Sequence, residues 1–174
     1  MNILSLLTGT VFIILLSWFI SIKYRRYHGI ARFFSFESIF VLFLMNYKVW
    51  FIDSFSFLHI ISWILLILSA YVVIAGYLIL SRKGKHDGNF ENTSLLVKSG
   101  IYQYIRHPLY LSLFLLGTGV MLKMPDKVQI GLGIINFVAV YITARIEEKE
   151  MIASFGDDYK VYMTETKMFI PFIV

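Results

Sequence analysis

Residues 57–80, FLHIISWILLILSAYVVIAGYLIL, form a long apolar stretch that contains no Asp, Glu, Lys or Arg. A helix needs roughly 20 apolar residues to cross the hydrocarbon core of a bilayer, which is about 30 Å thick. At a rise of about 1.5 Å per residue, this stretch is long enough to cross it. It therefore predicts a transmembrane helix and sets the fold class of the chain.

Four further apolar segments flank that stretch. Residues 2–22 carry no charge, residues 33–52 carry charges only near their ends, and residues 108–122 and 128–144 are shorter. Residues 124–127, MPDK, predict a tight turn between the last two segments. We therefore expect an all-α integral membrane protein with five transmembrane helices, the last two forming a tight helical hairpin.

The composition supports this fold class. Hydrophobic residues make up 58 % of the 174 residues and charged residues 16 %, and the mean hydropathy is +0.73. Soluble domains usually have about 45–50 % apolar and about 25 % charged residues, so the composition argues against an ordinary soluble domain and excludes a disordered chain. The chain has no cysteine, which excludes disulfides, a thiolate zinc site and a cysteine nucleophile. No metal site is predicted.

The basic residues predict how the helices are oriented. Five helices divide the 16 Lys and Arg residues into 13 on one side of the membrane and 3 on the other. Loops rich in Lys and Arg face the cytoplasm, so we expect the N-terminus outside and the C-terminus, with its helical segment, in the cytoplasm. The 13 residues lie in three separate segments without a base-reading module, so no nucleic-acid partner is expected. They are Lys23, Arg25, Arg26, Arg32, Arg82, Lys83, Lys85, Lys98, Arg106, Arg145, Lys149, Lys160 and Lys167.

The chain divides into two functional parts. Residues 1–80 supply the first three helices, and residues 81–174 supply the last two helices with the polar segments 81–107 and 145–167. The first segment is followed by basic residues rather than by a cleavage site, so we expect an uncleaved helix and not a signal peptide. Both polar segments are assigned to the cytoplasm. An active site is expected where they meet the membrane.

Small residues mark the predicted hairpin. Gly117 and Gly119 precede Pro125 by six to eight residues, and Gly131 and Gly133 follow it at the same spacing. An antiparallel hairpin would place all four at one depth, where small residues let helices approach closely. The run Gly131-Leu132-Gly133 is not a nucleotide-binding motif, because no strand precedes it.

The same hairpin predicts a polar cluster. His107 lies 18 residues before Pro125 and Glu147 lies 22 after it, which correspond to about 27 and about 33 Å along the two helices. Arg106 and His107 can therefore face Glu147 and Glu148 at the cytoplasmic interface. The alternative is that these side chains only end helices and reach towards the interface. Pro108 suits the first turn of a helix, where no backbone donor is needed.

One stretch of the sequence, residues 96–110, favours a functional site over a purely structural role for these residues. Residues 96–110, LVKSGIYQYIRHPLY, resemble the cofactor-binding motif of the isoprenylcysteine carboxyl methyltransferase family and of related phospholipid methyltransferases. The second half of the motif is matched by Glu147-Glu148, by FGDDY at residues 155–159 and by Pro171-Phe172. The resemblance covers a little under half of the chain, and the first three helices match only in number and hydrophobicity.

The resemblance implies a membrane methyltransferase that uses S-adenosyl-methionine and releases S-adenosyl-homocysteine. Its partners would be membrane lipids and a lipophilic acceptor, such as a lipid or a prenylated substrate. Arg106 and Glu148 are then the candidate catalytic residues, and Glu148 alternatively supports the cofactor site. The candidate cofactor-binding residues are Leu96, Val97, Tyr102, His107, Pro108, Tyr110 and Glu147.

These residue types suit the chemistry. Adenine needs an apolar, aromatic slot, an ammonium group needs a carboxylate, and methyl transfer depends mainly on positioning. The chain departs from the family at Thr143, where the prenylcysteine enzymes carry an arginine for the substrate carboxylate, and at Ser112, often a glycine. Arg145 is about 200° from Glu147 around a helix, so we expect it to face elsewhere. A prenylated cysteine carboxylate is thus one candidate acceptor, and a phospholipid amine or another small nucleophile is the alternative.

Two other classes remain open. Sterol reductases have a similar C-terminal pattern but are much longer and use a nicotinamide cofactor, and the chain length and the intact Arg-His-Pro argue against them. A non-catalytic membrane protein would need no cofactor pocket.

Overall fold

A computed structural model describes residues 2–24, 26–52, 55–84 and 95–171. All regular elements in these ranges are helices. One isolated parallel bridge pairs Ile105 with Lys167. The α-helices are α1 (Ile3–Ile20), α2 (His28–Asn46), α3 (Phe57–Lys83), α4 (Pro108–Met121), α5 (Lys127–Phe155) and α6 (Asp157–Glu165). Short 3₁₀ turns lie at Ile22–Tyr24 and Gly100–Gln103. The all-α prediction is confirmed.

Polar side chains define where the helices begin. Asn2 caps α1 by accepting a hydrogen bond from the Leu4 amide, and Asp126 caps α5 by accepting from the amides of Val128 and Gln129. Such caps satisfy amides that have no partner inside the helix. Pro108 stands in the first turn of α4, as predicted.

Within the described ranges, four helices are long and apolar enough to cross a membrane: α1 with the turn that follows it, α2, α3 and α5. Large hydrophobic side chains cover their outer faces, for example Phe12 and Trp18 on α1 and Ile67 on α3. The fourth predicted segment, residues 108–122, forms α4, which has 14 residues and spans only about 21 Å.

Two helices begin or end at residues that differ from those predicted by the apolar pattern. The second was expected over residues 33–52, but α2 begins at His28 and ends at Asn46. His28 and Arg32 are buried in the bundle and form polar contacts there, so the helix includes residues that hydropathy alone excludes. The fifth was expected to end at residue 144, but α5 continues to Phe155, because its polar end packs against neighbouring segments.

The bundle is built on two main pairs of helices, α3 with α4 and α2 with α5, and α1 packs against α2. Polar contacts lie in both main interfaces. Asn46 donates to the side chain of Gln129 at 2.7 Å, and Ser62 and Ser69 of α3 donate to the carbonyls of Gly119 and Ser112. In lipid, the hydrophobic effect does not drive apolar helices to associate. Such hydrogen bonds and close packing therefore hold the helix pairs together.

The glycines only partly follow the hairpin prediction. A Cβ at Gly117 would meet Asn136 of α5, and one at Gly133 would meet the Met121 sulfur at the end of α4. The prediction is wrong for Gly119, which faces Leu66 of α3, and for Gly131, beside which there is open space. The α4 helix has its closest partner in α3, so its small residues divide between two neighbours.

Three residues used in the sequence predictions lie outside the described ranges, namely Arg25, Lys85 and Phe172.

Candidate active site

A cavity of about 390 Å³ lies at one end of the bundle, and residues of all six helices contribute to its wall. The ends of α1, α3 and α5 and the beginnings of α2 and α4 meet there. Two further segments close it, the one before α4 and helix α6. Its volume lies within the range of about 300–1,000 Å³ that is common for small-molecule sites.

The segment before α4 is held in place by the segment after α6. The Arg106 amide donates to the Lys167 carbonyl at 2.8 Å, and the Lys167 amide donates to the Tyr104 carbonyl at 3.1 Å. Gly100 has a φ of 62° at the start of the 3₁₀ turn, a conformation that other residues rarely adopt. This local structure fixes where the Arg-His-Pro stretch points.

The polar side of the cavity is formed by His107 and Glu147. The Nδ1 atom of His107 lies 3.2 Å from a carboxylate oxygen of Glu147, and its Nε2 lies 3.7 Å from Glu148. The His107 ring stacks on the Tyr110 ring with centroids 5.5 Å apart. Burial lowers the pKa of His107, but the hydrogen bond to Glu147 and the negative charges of Glu147 and Glu148 outweigh this effect and raise the pKa above the ordinary value.

Arg106 is held by two other parts of the chain. Its guanidinium donates to Glu148 on α5 at 2.7 and 2.9 Å, and to the carbonyls of Met163 and Thr166 at 3.2 and 2.5 Å. The Glu148 side chain is 3 % exposed, whereas that of Glu147 is 24 % exposed. Adjacent residues on α5 thus face different surroundings, Glu147 the cavity and Glu148 the packed layer behind it.

The other side of the cavity is apolar and aromatic. Leu96, Val97 and Tyr102 come from the segment before α4, and Tyr159 and Tyr162 come from α6. The Tyr162 hydroxyl donates to the Tyr102 carbonyl at 2.6 Å and thereby fixes α6 against that segment. Burial is the main cause of a raised pKa at Tyr102, Tyr159 and Tyr162, so their hydroxyls stay neutral.

The structure brings the predicted site residues together. All the candidate cofactor-binding residues line the cavity, and so does Arg106: Leu96, Val97, Tyr102, Arg106, His107, Pro108, Tyr110 and Glu147. Glu148 lies against Arg106 and His107, outside the cavity wall. Arg145, expected to face away from Glu147, reaches Glu148 at 3.3 Å instead. The functional roles of these residues stay predictions.

Sequence reasoning missed the part of the wall that comes from the first three helices. Arg32 and Phe36 on α2 and Val73 and Tyr77 on α3 line the cavity. For these residues, the sequence offered one indication, the charge of Arg32 beside an apolar segment. Ionisable residues in membrane helices are functional candidates. Tyr159, which also lines the cavity, belongs to the FGDDY stretch at residues 155–159 and could have been predicted from it.

The fold and the cavity define the class of this protein: a helical membrane protein with a ligand-sized site at one end of its bundle, built around an Arg-His-Pro segment and a pair of glutamates. The sequence model of the phospholipid methyltransferase family matches residues 57–158, more than half of the chain. The chain belongs to this family.

Similar curated proteins are methyltransferases. Methanethiol S-methyltransferase of Crocosphaera subtropica is 32 % identical over 84 residues, which are 48 % of this chain and 32 % of that protein. Protein-S-isoprenylcysteine O-methyltransferase of Saccharomyces cerevisiae is 36 % identical over 86 residues, 48 % of this chain and 35 % of that protein. The Schizosaccharomyces pombe protein of the same name is 34 % identical over 82 residues, 45 % of this chain and 34 % of that protein.

The matched region thus spans about a third of the length of these relatives. No solved structure matches the chain significantly.

Proposed function

We propose that this protein transfers a methyl group from S-adenosyl-methionine to a lipophilic acceptor at the membrane. The observation that carries this proposal is the convergence of the predicted motif on one cavity. Residues from the segment before α4 and from α5, far apart in sequence, form one wall there, with His107 and Glu147 in contact. The family and the named activities of the relatives support the same reaction class.

The residues present fit the cofactor. Glu147 offers a carboxylate to an ammonium group, and the apolar slot of Leu96, Val97 and Tyr102 offers a place for adenine. The Nε2 atom of His107 is buried and lies 3.7 Å from Glu148, beyond hydrogen-bond distance, so it can donate to a ligand carboxylate. When bound, the cofactor would supply an electrophilic methyl group on its sulfonium, and the electron pair of the broken carbon–sulfur bond would stay on sulfur.

The protein's contribution is to position the reactants and to exclude water. Tyr102 and Tyr162, joined by a hydrogen bond, give the cavity a rigid wall. Arg106 and Glu148, the candidate catalytic residues, bind each other and the segment after α6. We assign them the role of positioning residues, which hold His107 and the cofactor wall in place.

The acceptor would enter from the lipid. Ile20 on α1 and Val73 and Tyr77 on α3 line the cavity, and these residues are 37 %, 38 % and 50 % exposed. The cavity is therefore accessible sideways at helices whose outer faces are apolar. We also propose that α4 crosses the membrane, in addition to the four longer helices. The N-terminus then lies outside, and the cavity and the C-terminus lie in the cytoplasm.

Ligand binding tests this proposal. We expect S-adenosyl-homocysteine to bind the detergent-purified protein with micromolar affinity and Glu147→Gln to weaken binding at least tenfold, because a charge-assisted contact is lost. The measurement is calorimetry. Glu150→Gln is a matched control, since Glu150 is also on α5, is also 24 % exposed and also pairs with a histidine, His28 at 2.8 Å, but does not line the cavity.

Absence of binding by the folded wild-type protein would overturn the proposal and favour a non-catalytic role. Equal losses in the two variants would remove Glu147 from the ligand site. Binding of a reduced nicotinamide in place of S-adenosyl-homocysteine would favour the reductase class.

A further inference from the structure

Tyr159 on α6 carries a hydroxyl group that the described part of the chain does not bind. The residue is 3 % exposed and lines the cavity. Among the residues that the structure describes, no group forms a hydrogen bond with this hydroxyl. Buried hydroxyls in proteins are nearly always paired, because an unpaired one gives up its hydrogen bonds to water without replacement. An unpaired hydroxyl in a cavity wall therefore marks a contact with a ligand.

The break between α5 and α6 places this residue at the cavity. Gly156 alone separates the two helices, and its φ of 58° is a conformation that residues with a Cβ rarely adopt. The chain can thereby end α5 and begin a new helix within one residue. Phe155 at the end of α5 and Tyr159 on α6 both line the cavity as a result.

The neighbouring Tyr162 shows what a structural hydroxyl does on this helix. It follows Tyr159 by three residues, so the two side chains lie on one face of α6. Its hydroxyl donates to the Tyr102 carbonyl at 2.6 Å and joins α6 to the segment before α4. The rings of Tyr159 and Tyr162 pack edge to face with centroids 5.8 Å apart. This packing holds the Tyr159 ring in place without using its own hydroxyl.

Tyr159 lies between the apolar slot and the polar side of the cavity. Its ring packs on Tyr162, which bonds to Tyr102 of the slot. Burial is the main cause of the raised pKa of Tyr159, and the negative charges of Glu147 and Glu148 add to it, so the hydroxyl is within electrostatic reach of the polar side. The proposed function places adenine in the slot and an ammonium group at Glu147. The ribose that joins these two parts then comes opposite Tyr159.

A ribose suits this hydroxyl chemically. A neutral phenol can donate one hydrogen bond and can also accept, and each ribose hydroxyl can do the same. An ammonium group can only donate, and the face of an adenine ring offers neither function. The ribose is therefore the part of the nucleoside that satisfies the phenol most completely.

We propose that the Tyr159 hydroxyl binds a ribose hydroxyl of the cofactor, so that the site selects ribonucleosides over deoxyribonucleosides. This inference rests on the methyltransferase function proposed above. It adds a binding residue from α6 to those from the segment before α4 and from α5. Helix α6 then takes part in recognition of the cofactor and does not only close the cavity.

Binding of matched nucleosides is the direct test. The probes are S-adenosyl-homocysteine and its 2′-deoxy and 3′-deoxy analogues, each of which lacks one ribose hydroxyl. The measurement is calorimetry on the detergent-purified protein. We expect the wild-type protein to bind S-adenosyl-homocysteine at least about fivefold more tightly than one of the two analogues. Tyr159→Phe should lower that preference to about twofold or less, because the ribose hydroxyl then has no partner to lose.

Two other tyrosines provide matched controls. Tyr104→Phe removes a hydroxyl from an exposed residue that does not line the cavity, and should leave all affinities unchanged. Tyr162→Phe removes the bond to the Tyr102 carbonyl, and should weaken all three probes by one common factor without changing the preference. Tyr159→Phe should not lower the thermal midpoint of the ligand-free protein, because its hydroxyl has no partner among the described residues.

A second arm separates the ribose from the amino-acid part of the cofactor. Methylthioadenosine retains adenine and ribose but lacks the amino-acid part. We expect Tyr159→Phe to weaken methylthioadenosine by the same factor as S-adenosyl-homocysteine. Unchanged affinity for methylthioadenosine, together with weakened S-adenosyl-homocysteine, would show that the hydroxyl binds the amino-acid part and that our assignment is wrong.

Equal affinity of the wild-type protein for S-adenosyl-homocysteine and both deoxy analogues overturns the proposal, even if no variant folds. A preference that persists in Tyr159→Phe overturns it too, because another residue then binds the ribose. Neither result affects the proposed function. That function fails if the folded wild-type protein binds none of these nucleosides, and the assignment of Tyr159 would then fall with it.

Discussion

His107 is the residue at which the two halves of the site meet. Its ring contacts Glu147 from α5, lies near Glu148 and stacks on Tyr110 from α4. Two carboxylates next to a buried imidazole favour its protonated form. The charge of His107 therefore depends on the position of α5, and its titration reports on the integrity of the site.

This coupling predicts a pH dependence of stability. Because the folded protein raises the pKa of His107, protonation stabilises it, and this contribution is complete below the ordinary value of about 6.5 and is lost as pH rises through the raised pKa. We expect the thermal midpoint of the purified protein to fall as pH increases from about 6.5 towards 9. The measurement is a series of unfolding scans on the wild type and on His107→Gln.

The variant should show a flatter profile, because the other titrating groups are common to both proteins. Identical slopes in the two proteins would mean that His107 carries no shifted pKa.

At the residue scale, the sequence predicted one half of the site well. The motif and the hairpin arithmetic brought His107 and Glu147 together, because helix rise is regular and both residues flank one turn. Arg32 and Tyr77 were not predictable in this way, since they reach the cavity through packing of α2 and α3, for which the sequence has no comparable spacing rule.

At the scale of elements, Arg106 and Glu148 join three segments that are distant in sequence. Arg106 precedes α4, Glu148 belongs to α5, and the carbonyls of Met163 and Thr166 lie at the end of α6 and just beyond it. A buried ion pair of this kind adds little net stability over an apolar replacement, but removal of one partner leaves an uncompensated charge.

We therefore expect Glu148→Gln to lower the free energy of unfolding by about 3–5 kcal/mol. Arg145→Gln serves as the matched control, because Arg145 is 53 % exposed and its charge is largely solvated, so loss of its contact with Glu148 should cost about 1 kcal/mol at most. Denaturant unfolding of both variants in detergent measures the difference. Comparable losses in the two would show that the buried pair does not hold the segments together.

Helix bounds were predictable where hydropathy and capping agree. Residue 57 as the start of α3 and Pro108 as the start of α4 were predicted correctly. The start of α2 and the end of α5 were not, because the contact of His28 with Glu150 lets polar residues continue a helix inside the bundle. A hydropathy profile describes residues one at a time and so cannot include such pairs.

At the scale of the whole molecule, the cavity lies at the end of the bundle where most basic residues are found. Arg26, Arg82 and Arg145 are close in sequence to the ends of helices that contribute to its wall. The charge rule predicts that this end faces the cytoplasm, which would also be the side from which a water-soluble cofactor reaches the cavity.

We expect the two termini to lie on opposite sides of the membrane, because five crossings place 13 of the 16 Lys and Arg residues on one side, as the charge rule favours. Reporter fusions at each terminus measure this. A third reporter in the turn at Pro125 should lie on the same side as the N-terminus if α4 crosses the membrane. Both termini on one side would show that α4, with its 14 residues, does not cross.

The bridge between Ile105 and Lys167 has a consequence for the order in which the protein is made. The segment before α4 leaves the ribosome about 60 residues ahead of the segment that orders it, since Lys167 follows Arg106 by 61 positions. Through that interval, the helices of the bundle can insert and pair while the cavity still lacks its closing wall. Ligand-binding competence therefore arises late in biosynthesis, and translation arrested before residue 163 would leave an inserted bundle without a finished site.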